Sequence, residues 1–157
     1  MNMRANKKDI WNISESLLDL FQEKLMKLQR FFDLSVCERE ALHAQEIKEL
    51  VNVLNEKSNV QSQVSLIDER IKKYQQQHTS SIQRMNAQQS LEMKEAVQVM
   101  VDLLQKIVDY EEENKIIALT VKSDLQKQMG DVTSNDKMIN SYFGRRNSSP
   151  RYIDQAR

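Results

Sequence analysis

The first 129 residues contain neither glycine nor proline; the three such residues of this 157-residue chain, Gly130, Gly144 and Pro150, all lie beyond them. Gly and Pro punctuate turns, bulges and strand ends, so a long stretch that avoids both and carries few β-branched runs is consistent with helix throughout. The chain therefore reads as all-α: an elongated antiparallel three-helix bundle of long helices over residues 1–129, followed by a flexible C-terminal tail over 130–157. A composition of 39% apolar and 29% charged residues suits amphipathic helices around a slender core.

The first helix is expected over 12–42, capped by Asn12 or Ser14. Leu18, Phe21, Leu25, Leu28, Phe32 and Leu42 form its seam. Trp11, Ile13, Leu17, Leu20, Phe31 and Leu34 widen the stripe enough for two neighbouring helices. A polar interval at 43–46 marks a tight connection. The second helix is expected over 46–76, its stripe opening at Ile47, Leu50 and Leu54 and resuming at Val64, Ile67 and Ile71. Lys57 and Gln61 occupy seam positions between, which leaves the middle of the helix weakly specified. In residues 75–90 the cluster Thr79, Ser80 and Ser81 competes with the backbone for hydrogen bonds, so this segment reads as a turn or frayed stretch. The third helix is expected over 89–129, with Leu91, Met93, Val97, Met100, Leu104 and Ile107. Five polar residues from Glu111 to Lys115 form a waist before Ala118, Val121 and Leu125 resume the stripe. Lys57 and Glu111 stand equally far from residue 84, close to the middle of that link. In an antiparallel pair they meet across the waist; otherwise they are two unrelated solvated charges.

Basic and acidic side chains number 23 each, so no net field draws the chain to nucleic acid or an anionic membrane. Apolar runs such as 116–119 fall far short of the roughly 20 residues that span a bilayer, and the N-terminus has no hydrophobic signal core. No membrane insertion is expected, and the expected location is cytoplasmic. Cys37 has no partner for an internal disulfide and reads as a packed or half-exposed thiol. His43 and His78 read as surface residues without zinc or nucleophile spacing. Asp109, Glu111, Glu112 and Glu113 point in different directions around a helix and cannot surround one ion. A glycine-free segment holds no phosphate loop. No catalytic residue, cofactor or metal is expected. Met26, Met93, Met100 and Met129 fall near the stripes, either filling the core or forming an adaptable binding surface.

Beyond Met129 the composition changes. Five Lys or Arg against three Asp give residues 130–157 a charge of +2, leaving residues 1–129 at −2. Met138, Ile139, Tyr142 and Phe143 are spaced to share one face of a short helix, and Tyr152 with Ile153 forms a second patch. Such clusters either dock on the chain's own bundle or order on contact with a partner.

The stretch EALHAQEIKELVNVLNEKSNVQSQVSLIDER, from Glu40 to Arg70, resembles the central part of the FlgN-type flagellar export chaperones. The likeness lies in an Ala-Leu pair closing the first helix, Ala41 and Leu42; a short turn; a leucine-rich helix reaching Glu56 and Lys57; and Arg70 further along. Asn114 before Ile116 and Ile117 is similar to the family's Asn before an aliphatic pair in the last helix. Tyr142, Gly144 and the element from Arg151 to Asp154 resemble family tails. The resemblance implies a cytoplasmic chaperone that binds hook-associated (hook–filament junction) proteins, keeps them soluble, and delivers them to the flagellar type III export gate or its ATPase complex. Under the same resemblance a client's amphipathic helix would lie along Val121, Leu125 and Met129, with Met138, Ile139, Tyr142 and Phe143 closing over it; Tyr142 is the gate contact by the same analogy, and the free protein can pair as a homodimer. The alternative is a structural coiled-coil or bundle protein that self-assembles or joins a scaffold. The polar residues Lys57, Gln61, Glu111 and Asn114 speak against a long uniform coil.

Overall fold

The computed structural model describes residues 3–143, with side chains from Lys7 to Ser134. Among the described residues every regular element is helical: α1 (Met3–Ala44), α2 (Ile47–Gln77), the short α3 (Thr79–Gln83) and α4 (Ala87–Phe143). The all-α expectation holds. The chain divides into two compact units, Met1–Ile117 and Ala118–Arg157.

In the first unit α1 and α2 run antiparallel. Arg30 pairs with Glu56 and Lys24 with Asp68 across their contact. α4 then returns antiparallel to α2 and alongside α1. α1 begins well before Asn12, and both expected caps lie inside it, with Ser14 buried. Residues 3–11 contain no breaker, so nothing in their chemistry stops the helix earlier.

Between α1 and α2 the Glu46 N–H donates to the Ala41 carbonyl at 3.0 Å and the Gln45 N–H to the Leu42 carbonyl at 3.1 Å. This is a Schellman closure, and its left-handed residue is Gln45, at φ 56°, where glycine is the usual occupant. The segment 75–90 is more ordered than its composition implies. α2 persists to Gln77, α3 adds one further turn, and Asn86 and Gln89 cap α4 reciprocally. The Gln89 N–H donates to Asn86 Oδ1 at 2.8 Å, and the Asn86 N–H donates to Gln89 Oε1 at 3.1 Å.

Leu17, Leu20, Phe21, Ile67, Ile71 and Met100 form one core cluster, and Leu34, Val53 and Val60 form another. The α2 seam thus runs Val53, Lys57, Val60, Val64, Ile67, Ile71 in alternating steps of four and three. Ile47 and Leu54, expected to open the stripe, are 50% and 43% exposed. Gln61 is exposed as well. The heptad step selects between two apolar sets, and the set that faces α1 is the buried one.

The second unit contains the rest of α4. The helix does not stop at Met129 but passes through Gly130 to Phe143. One interior glycine costs about 1 kcal/mol relative to alanine, too little to end a long helix. Thr133 and Ser134 donate their hydroxyls to the Met129 and Gly130 carbonyls at 2.8 and 3.0 Å. Met138, Ile139, Tyr142 and Phe143 fall in the last turns of α4 and their side chains lie outside the described residues, as do Tyr152 and Ile153. Among the described residues no helix is long and apolar enough to cross a membrane.

Candidate functional site

At the waist of the first unit, polar side chains from three helices close into a knot. Ser35, Glu38 and Arg39 share one face of α1 by their i, i+3, i+4 spacing; Lys57 enters from the α2 seam; Glu111 and Asn114, three apart, enter from α4. Lys57 is 6% exposed and donates to Glu38 of α1 and, at 2.6 Å, to Glu111 Oε1 of α4. One ammonium therefore ties α2 to both neighbours. Of the two alternatives for Lys57 and Glu111, meeting across the waist or standing as unrelated solvated charges, the first is the one present.

Ser35 is fully buried, and its hydroxyl lies 2.5 Å from Glu111 Oε1 and 3.0 Å from the Phe31 carbonyl. Asn114 is 1% exposed and uses both ends of its amide. Nδ2 donates to the Ser35 carbonyl at 2.9 Å, and Oδ1 accepts from Arg39 Nε at 2.8 Å. The Arg39 guanidinium also reaches Glu113 at 2.7 Å and the Tyr110 carbonyl at 3.3 Å, with its central carbon 3.5 Å from the centre of the Tyr110 ring. That ring in turn meets Phe32 edge-on at 5.2 Å. Among the described side chains no buried nitrogen or oxygen lacks a partner.

The consequence is positional. A buried charge is tolerated only while its partners stay in place, so sliding α2 by one residue, a turn of about 100°, strips Lys57 of both carboxylates. Sequence reading named Lys57, Glu111 and Asn114 but missed Ser35, Glu38, Arg39 and Tyr110. The available signal was a polar triplet on the α1 face between the apolar Leu34 and Leu42, level with the polar interruptions of α2 and α4. Gln61 takes no part. Glu111 and Glu113, read as a solvated run, instead face Lys57 and Arg39.

Elsewhere the first unit offers little reactive chemistry. Cys37 is exposed rather than packed, and the His78 ring rests against Tyr74 at 4.5 Å. Among the described residues no group of three or more His, Cys, Asp or Glu can hold a metal ion.

The second feature is a stripe along α4. Met100, Ile107 and Asn114 recur every seven residues and are all buried. The same helical phase continues in the second unit through Ala118, Val121, Leu125, Met129 and Val132. There none of the described side chains is buried: Val121 and Leu125 are half-buried, Met129 is 67% exposed and Val132 58%. The expected binding residues Val121, Leu125 and Met129 do share one face. Lys115 and Lys122 flank it on one side and Asp124 and Asp131 on the other, all exposed. Compared with known proteins, the chain matches no family model, no curated protein and no solved structure.

Proposed function

We propose that this chain is a cytoplasmic flagellar type III export chaperone that binds hook-associated proteins, keeps them soluble and export-competent, and hands them to the export gate. The observation that carries the reading is the stripe. The α4 face that serves as core at Met100 and Ile107 goes on as Ala118, Val121, Leu125, Met129 and Val132 with no buried member. An apolar face of that length is a natural seat for one amphipathic helix of a client, read through anchors three and four residues apart. Basic residues along one edge and acidic residues along the other favour one orientation of that helix. The layout from Glu40 to Arg70, which resembles the FlgN-type chaperones, supports this choice of client class.

Co-expression with hook-associated proteins tests it. A soluble one-to-one complex is expected with the full chain. Leu125→Asp is expected to weaken the complex by tenfold or more, about 1.4 kcal/mol, while circular dichroism of the free chain stays unchanged. Equal binding by the variant would remove the stripe from the mechanism.

A second reading, self-assembly as a structural component, is favoured by a separate row on α4 in the first unit, Val97, Val101, Leu104 and Val108, each between 38% and 52% exposed. Sedimentation velocity separates the two. A stable homo-oligomer that persists in the presence of hook-associated proteins and is broken by Val101→Asp supports the structural role.

A further inference from the structure

At the end of the first unit where α2 passes through α3 into α4, an open groove of about 530 Å³ lies between the helices. Its floor is the buried pair Leu17 and Phe21 of α1, and its walls are Ile82 of α3, Met85 of the following turn, and Met93 and Val97 of α4. The volume falls within the roughly 300–1,000 Å³ typical of ligand sites. Two of the wall residues are methionines, whose unbranched thioethers adapt to differently shaped apolar groups.

The mouth of the groove is polar and carries one charge. Gln75, Ser90 and Gln98 border it together with Lys94. On the helix, the neighbours four residues either side of Lys94 are Ser90 and Gln98, so α4 supplies no carboxylate to it at that spacing. Lys94 is exposed and is the charged residue of the lining, and no ion pair ties it among the described residues. The glutamine amides can both donate to and accept from an extended backbone.

We infer that this groove is a docking site for a linear peptide of a partner protein, one that inserts a bulky apolar side chain between Phe21, Ile82 and Val97 and sets an Asp or Glu beside Lys94. The apolar lining supplies affinity, and the single uncompensated cation selects the sign of the neighbouring charge. The site is separate from the stripe at Val121 and Leu125 and does not depend on the export-chaperone reading.

Panning random dodecapeptides displayed on phage against the full-length protein tests the inference. The enriched sequences are expected to hold an aromatic or large aliphatic residue next to Asp or Glu. In fluorescence polarisation, Val97→Asp is expected to weaken the enriched peptides by about tenfold or more, and Lys94→Glu by a similar factor. Exchanging the peptide's acidic residue for Lys is expected to restore binding to Lys94→Glu, a reversal that mere loss of structure cannot produce. Leu125→Asp is expected to bind the peptides as the unmodified chain does, so failure of the client-binding stripe and failure of this groove read out separately. Absence of enrichment, indifference to Val97→Asp, or equal binding of acidic and basic peptides to Lys94→Glu would each overturn it.

Discussion

Lys57 brings a charge into the middle of a helical bundle and meets Glu38 and Glu111 there, on two different helices. Removing only the cation leaves two carboxylates facing each other with a desolvated hydroxyl, Ser35, between the strands of the network. Lys57→Met is therefore expected to cost about 3–5 kcal/mol in urea unfolding. Replacing Lys57, Glu38 and Glu111 together with apolar residues is expected to give a protein at least as stable as the original, because the three desolvation penalties vanish with the charges. The difference should appear as lost uniqueness, with amide resonances of residues 30–40 broadened or doubled as α2 samples neighbouring registers. The sequence revealed this knot only in part. Lys57 and Glu111 were legible because antiparallel symmetry about residue 84 pairs them. Glu38 and Arg39 were not, since a charged residue on an amphipathic helix usually marks the solvent face.

At the level of elements, the α1–α2 closure holds Gln45 in a left-handed conformation that glycine adopts without penalty. Gln45→Gly is expected to raise stability by about 1 kcal/mol, read as a higher thermal midpoint, because the backbone strain at φ 56° disappears while both closing hydrogen bonds remain. Gly130 is the converse case. A Cβ there meets nothing within 4 Å, so Gly130→Ala is expected to slow amide exchange over residues 126–134 several-fold by favouring helix locally. Element boundaries were the least legible part of the sequence. The start of α1 carries no stop signal, and the α2 stripe offers two sets, Ile47 and Leu54 or Val53 and Val60, that satisfy helical spacing equally well. Only contact with α1 decides between them. The reciprocal cap of Asn86 and Gln89 was written in the sequence but hidden among glutamines.

Over the whole molecule, both core clusters and the complete polar knot belong to the unit Met1–Ile117. A chain ending at Ile117 is expected to unfold in one cooperative transition with the same midpoint in urea as the full chain, while losing the stripe proposed to hold a client. A lower midpoint or a broadened transition would show that residues after Ile117 contribute to that core. The fold class was legible because 129 residues without glycine or proline leave helices as the consistent choice. The candidate binding stripe was legible because Val121, Leu125 and Met129 repeat the spacing of the core. The groove near Lys94 was not, since it depends on α3, a turn that composition alone presents as a loop. The polar knot also limits how such a chain can change length over evolutionary time. A layer keyed to three helices at once forbids isolated insertions in α1 or α2, because each added residue rotates everything beyond it by about 100°. Growth or loss is tolerated where no key is turned out of its lock: in the connection at 84–86, in matched heptads added to all three helices, or in α4 after Asn114. Relatives of different length should therefore differ at those places and keep a constant count between Glu38 and Lys57.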